Sequence, residues 1–166
     1  MKEQIVINYR RIFGAGPTGL VVTVGIWVAA LQLEAFLGIP KIGIGPAFRW
    51  ILFIFFAVDA VTTIVWSFFV LPPHQRGKKL VTTGPYQFVR HPLYSAIIWS
   101  GTGMVAVWFR SWFVIASALP ISIFWSWHVQ KEELYMIKKF GDEYREYMKN
   151  TGQFFPSLGK QQDIRK

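Results

Sequence analysis

Few side chains in this chain can do chemistry, and most of them fall in two short blocks. Gly84-Pro85-Tyr86-Gln87-Phe88-Val89-Arg90-His91-Pro92-Leu93-Tyr94 lies where a basic loop meets an apolar run. Glu132-Glu133 stand about forty residues later, at the close of another apolar run. Adjacent carboxylates suit an amine or a sulfonium, and a guanidinium beside an imidazole suits an anion. Ionisable groups set against a bilayer are costly unless they grip something polar, so the two blocks together point to a membrane enzyme with a polar cofactor.

Within the first block, Gly84-Pro85 makes a tight turn, because the residue before a proline is pushed out of helical geometry. Pro92 suits the first turn of a helix, where its missing N–H would have had no partner. Arg90 and His91 then precede a helix N-terminus, a place that favours an anion such as a ligand carboxylate; the alternative is that both are interfacial anchors on lipid phosphate. Glu132 and Glu133, at the C-terminal end of a span, oppose the helix dipole and need a reason to be there, for which Lys131 or Arg90 could supply a structural partner. His128 lies one helical turn before Glu132, on the same face. Asp59 is the one acid well inside an apolar run, with Thr62 and Thr63 a turn further on; it reads equally as a functional group or as a packing contact. Gly101 and Gly103, with Ser95 and Ala96, read as close helix-packing positions. No metal-ligand spacing, phosphate loop or nucleophile elbow is present, and with no cysteine there is neither disulfide nor thiolate chemistry.

The elements that must position these groups follow from hydropathy. The chain has 166 residues, 52% apolar and 17% aromatic, with eight Trp. Its charged fraction of 16% is low for a soluble domain, and the charges sit in blocks between long apolar runs. This is an all-α, polytopic membrane protein with about four transmembrane helices, over residues 17–37, 50–71, 93–109 and 112–130. A Gly- and Pro-rich loop over 38–46 separates the first two, and Pro72-Pro73 ends the second. Leu134, Ile137, Tyr144, Tyr147 and Met148 then recur at helical spacing among charged residues, which predicts an amphipathic interfacial helix interrupted near Gly141. The polar tail from Gly159 reads as mobile. The start of the chain lacks the regions of a signal peptide, and the first span is expected to insert unaided.

The net charge of +9 reflects orientation better than nucleic-acid binding, since the basic residues flank apolar runs. With the N-terminus inside, fifteen Lys and Arg fall on inner segments, against Lys41, Arg49 and Arg110 outside. Both termini are thus expected on the cytoplasmic side of a bacterial or archaeal cell membrane, where the 72–91 loop and the segment after His128 can meet.

Leu80-Val81-Thr82-Thr83-Gly84-Pro85-Tyr86 followed by Arg90-His91-Pro92-Leu93-Tyr94 resembles the isoprenylcysteine carboxyl methyltransferase family and its bacterial relatives. Glu132-Glu133-Leu134, then Phe140-Gly141-Asp142-Glu143-Tyr144 and Tyr147, is similar to the same family at the expected separation. The resemblance covers residues 78–156, with the cofactor segments at 78–94 and 128–156. It implies a single integral membrane methyltransferase domain over 1–166 that uses S-adenosyl-L-methionine and takes a lipophilic acceptor from the bilayer. Carried over residue by residue, Lys78, Lys79, Leu80 and Val81 would contact the cofactor, much of it through backbone. Tyr86, His91, Pro92, Leu93 and Tyr94 would wrap its amino-acid end and ribose, and Glu132 would bind its polar groups. Three positions depart from the family pattern: His128 stands where an arginine holds the acceptor carboxylate, Asn150 where a basic residue is common, and Ala96 near a usual glycine. The cofactor half of the pattern is intact and the acceptor half is altered.

Methyl transfer from a sulfonium is an in-line displacement that needs alignment more than covalent help. A carboxylate acceptor, the favoured class, or a thiolate needs no base. An amine or a neutral thiol would need to lose a proton, for which His128 is the candidate. The readings that remain open are a phospholipid amine or small-thiol methyltransferase of the same superfamily, and a non-catalytic membrane subunit with a degenerate site. Membrane sterol reductases share part of the C-terminal pattern but have more spans.

Overall fold

The structure is a computed structural model that describes residues 15–157. The inner basic residues Lys2, Arg10 and Arg11 and the tail from Gly159 lie outside the described residues. Four long helices carry the apolar runs. Helix α1 is Gly16–Phe36 and α2 is Pro46–Val70. Helix α3 runs over Pro92–Phe109, with a π-helical stretch at Ala96–Gly101. Helix α4 is Trp112–His128. Two amphipathic helices follow, α5 (Gln130–Phe140) and α6 (Asp142–Asn150). They are separated by Gly141, whose φ of +57° is a conformation glycine adopts without steric cost. The chain is an all-α membrane protein: α1, α2 and α3 are each long and apolar enough to span, and α4 with α5 forms a bent pair.

The helices do not pack in chain order. α1 lies on α4, α4 on α3, and α3 on α2. Small residues let the backbones approach, as lipid-embedded helices require. A Cβ on Gly19 would fall 2.3 Å from the Trp125 ring, and one on Gly103 would fall 2.6 Å from Phe56. Gly101 lies against Trp27, so both glycines expected to serve packing do so. Indole N–H groups find hydroxyls inside the bundle: Trp125 donates to Thr23 at 2.9 Å and Trp27 to Thr102 at 3.1 Å. Ile98, Ile121, Trp125, Val129 and Phe154 form the buried centre. α2, by contrast, exposes most of its apolar side chains, as a helix bathed in lipid does.

At the end of the bundle away from the two blocks, Glu34 is fully buried in the last turn of α1. It accepts from the Phe113 N–H at 2.9 Å, from the Ser111 hydroxyl and from Lys41 at 2.9 Å. Its carboxylate thus caps the first turn of α4, where unpaired N–H groups and the helix dipole favour negative charge. Glu34 lies in neither of the two blocks.

One expectation is corrected by the backbone. The fourth helix does not run on to 130 with Glu132-Glu133 at its C-terminal end. It stops at His128, turns at Val129, and α5 leaves at 40°. Glu132 and Glu133 therefore stand in the first turn of a new helix, and Lys138 and Lys139 in its last. Both pairs are complementary to the dipole instead of opposed to it. The bend arises where the apolar sequence gives out: Gln130-Lys131-Glu132-Glu133 cannot stay in hydrocarbon, and α5 runs on as an amphipathic helix.

Candidate active site

The Arg90-His91 corner is built by three short pieces of backbone. The 3₁₀ turn Gly84–Gln87 brings the chain round with Gly84 at φ +62°, Pro92 opens α3, and the segment after α6 runs alongside. Arg90 N–H donates to Gly152 O at 2.8 Å and His91 N–H to Gln153 O at 3.1 Å. Ser95 and Trp99 of α3 both donate to Phe154 O. The residues 151–155 are thereby laced along 89–99. Gly152 allows this pass, since a Cβ there would lie 1.8 Å from Phe155 O. Gly152→Ala is expected to unlace the segment and lower the melting temperature by about 2–12 °C in detergent, from an overpacking cost on the order of 1–3 kcal/mol in a domain this size; an unchanged melting temperature would show that the segment does not support the corner.

Arg90 has its side chain spent inside the protein. Its Nε donates to Glu133 Oε1 at 3.0 Å, and Nη1 donates to Thr151 O and, at 3.2 Å, to Met148 O. His91 Nε2 donates to the same Glu133 oxygen at 3.1 Å, and its Nδ1 lies 4.0 Å from Glu132 Oε2. The anion at this helix N-terminus is thus the protein's own Glu133, where the sequence pointed to a ligand carboxylate or a lipid phosphate. Burial alone would raise the Glu133 carboxyl; the hydrogen bond and charge of His91 and the charge of Arg90 outweigh it and hold it at about 2.

Glu132 points the other way, and its side chain keeps 30% of its exposure. Tyr94 Oη donates to Glu132 Oε1 at 3.1 Å. His91 stacks on Tyr94 with ring centres 5.6 Å apart, and Tyr94 stacks on Trp125 at 4.5 Å. A half-open carboxylate beside a ladder of aromatic faces is a chemical match for a cation such as a sulfonium or an ammonium. Tyr86 is buried below, its backbone carbonyl accepting from Tyr147 Oη. Burial raises the Tyr86 phenol, and the nearby Arg76 charge partly reverses that. Arg76 lies over the Phe68 ring and is a charged neighbour that the motifs did not flag.

Of the residues expected to hold a cofactor, His91, Tyr94 and Glu132 come together, with Pro92 buried and Leu93 partly buried in the first turn of α3. Lys78 and Lys79 are exposed on the connecting loop, while Leu80 and Val81 are partly buried. That loop is tied to α5 by Lys139, which donates to Gly77 O. His128, the candidate base, stacks on Phe124 at 5.0 Å and lies edge-on to Trp125. Asp59 lies elsewhere: Ser100 of the π-helical stretch donates to it, beside an open groove of about 440 Å³ lined by Phe55, Val58, Asp59 and Thr62.

The start of α1 completes the cluster. Ala15 N–H donates to Glu132 Oε1 at 2.5 Å, Ala15 O is 3.2 Å from His128 Nε2, and Thr18 Oγ1 is 2.8 Å from the same nitrogen. These contacts span more than a hundred residues. Neither Ala15 nor Thr18 lies in either of the two blocks.

A family model described as phospholipid methyltransferase matches residues 33–143. The chain belongs to the phospholipid methyltransferase family. The matched stretch contains α2 to α5 with Arg90, His91, Tyr94, His128 and both glutamates, and it leaves out Ala15, Thr18 and the laced segment. Two relatives are named protein-S-isoprenylcysteine O-methyltransferase. That of Schizosaccharomyces pombe is 34% identical over 95 residues, 56% of this chain and 39% of the relative. That of Dictyostelium discoideum is 32% identical over 80 residues, 48% and 33% of the two chains. The cobalt-zinc-cadmium resistance protein CzcN of Cupriavidus metallidurans is 30% identical over 84 residues, 51% and 38%. Each match covers well under half of the relative's length.

Proposed function

We propose that this protein transfers a methyl group from S-adenosyl-L-methionine to a lipophilic or small acceptor, at the membrane face where α4 bends into α5 and which the distribution of Lys and Arg assigns to the cytoplasm. The observation that carries the reading is the half-open Glu132 carboxylate, which flanks the His91–Tyr94–Trp125 aromatic ladder in a family of methyltransferases. When bound, the cofactor supplies an activated methyl on a sulfonium. Glu132 would hold a positive group of it, Tyr94 would pack beside that group, and the backbone of 78–81 would close over it. The surrounding apolar helices keep water out and let an acceptor arrive from the bilayer.

A carboxylate acceptor needs no base. A second reading, an acceptor that must lose a proton such as an amine or a thiol, is supported by His128 standing within the same cluster, histidine being the side chain most often used as a general base. Calorimetric titration of the detergent-purified protein with S-adenosylhomocysteine tests the shared part. A Kd on the order of micromolar, about −8 kcal/mol, is expected. Absence of heat with well-folded protein would overturn the reading and leave a non-catalytic subunit. Labelled methyl transfer to carboxylate, amine and thiol lipids would then separate the acceptor classes.

A further inference from the structure

His128 is held by groups from outside the matched family stretch, and those groups decide which of its nitrogens is basic. Thr18 Oγ1 lies 3.2 Å from Ala15 O and donates its hydroxyl proton there. The same oxygen is then left with lone pairs toward His128 Nε2, 2.8 Å away. Ala15 O, 3.2 Å from Nε2, can only accept. Nε2 thus faces one obligate acceptor, the Ala15 carbonyl, and one hydroxyl whose own proton has that same carbonyl to go to, an arrangement that favours the neutral ring with its proton on Nε2. It leaves Nδ1 as the basic nitrogen, and no described residue donates to it. The Phe124 stack and the Trp125 edge fix the plane of the ring.

Resting on the methyltransferase reading, we propose that Thr18 and the Ala15 carbonyl are positioning groups of the acceptor side, and that His128 Nδ1 is the base offered to an amine or thiol acceptor. The acceptor's proton passes to Nδ1, its lone pair forms the new bond to the methyl carbon, and the sulfur keeps the electron pair of the bond that breaks. The imidazolium then releases its proton to solvent. The groups against the ring are, from α1, Thr18 and the Ala15 carbonyl, and from α4, Phe124 and Trp125; Glu132 of α5 is the charged group that accepts from the N–H of the same Ala15 residue. Ala15 thus joins the carboxylate assigned to the cofactor to the imidazole assigned to the acceptor.

The test is nitrogen NMR of the full chain with labelled histidine in nanodiscs, His128 being assigned by the loss of its signals in His128→Gln. The expected result is a neutral ring protonated on Nε2 in the wild type, a larger share of the other tautomer in Thr18→Val, where only the Ala15 carbonyl still accepts from Nε2, and return of the wild-type form in Thr18→Ser. A ring protonated on Nδ1 in the wild type, or a tautomer unmoved by Thr18→Val, overturns the proposal. Titration of the same wild-type sample with S-adenosylhomocysteine keeps the two readings apart: binding together with the wrong tautomer sinks only the role of Thr18, whereas no binding sinks the methyltransferase reading. With an amine or thiol acceptor, Thr18→Val is expected to lower kcat about tenfold, a fraction of what a general base supplies, and Thr18→Ser to restore it.

Discussion

Arg90→Ala is expected to abolish stable folding in detergent, with a loss on the order of 3–5 kcal/mol. Arg90 Nε is bonded to Glu133, and its Nη1 to two backbone carbonyls, at Met148 and Thr151. Both partners in the ion pair are only about a tenth exposed. Removing the guanidinium leaves Glu133 buried with His91 as its remaining partner, and strands two carbonyls; breaking one half of a buried pair carries a penalty of this size because the other half stays unpaired. The measurement is a fluorescence melt beside size-exclusion chromatography. A melting temperature within 2 °C of the wild type would mean the clamp carries no stability. The same clamp predicts a pH dependence. Glu133 titrates at about 2 in the folded chain, against an ordinary 4.5, so its contribution of about 3 kcal/mol is complete above the unfolded value and is lost as pH falls from about 5 toward 2. Glu133→Gln is expected to flatten stability in that window.

The neighbouring carboxylate should behave in the opposite way. Glu132→Gln is expected to fold normally and to lose more than tenfold in affinity for S-adenosylhomocysteine. The amide oxygen still accepts from Ala15 N–H and Tyr94 Oη, so the internal bonds survive while the charge does not; a hydrogen bond to a charged group is worth about 1.5–3 kcal/mol, and a neutral one less. Comparing ligands sharpens the result. If Glu132 holds the amino-acid ammonium, the thioether product and a charged analogue of the sulfonium should weaken alike. If it faces the sulfonium, only the charged analogue should suffer. Unchanged affinity for both would remove Glu132 from the site. Two adjacent glutamates, one lost from stability and one lost from binding, would separate scaffold from site within one helical turn.

That separation was invisible in the sequence because it depends on where α4 stops. As a continuous span, 112–130 would have put both carboxylates at a C-terminus. The turn at Val129 puts them at an N-terminus and aims them at different partners. The sequence read Arg90 and His91 as groups that favour an anion, and the anion beside them in the fold is Glu133. It flagged His91, Tyr94, His128 and Glu132, which do gather at one place. It gave no sign of Ala15, Gly152 or Glu34, whose roles come from chain segments far away in sequence.

What the sequence by itself determined is therefore what local physics decides: the apolar runs that seek lipid, Pro92 at a helix start, the break at Gly141, the packing glycines, and the two blocks whose residue types mark the family. Hydropathy and backbone propensity act over a few residues and need no partner to be read. The tertiary structure alone decided that α1 packs on α4, that 151–155 laces along 89–99, and that the α1 start reaches Glu132 and His128. A hydrogen bond fixes the meaning of a side chain by the identity of its partner, and here those partners lie forty to more than a hundred residues away.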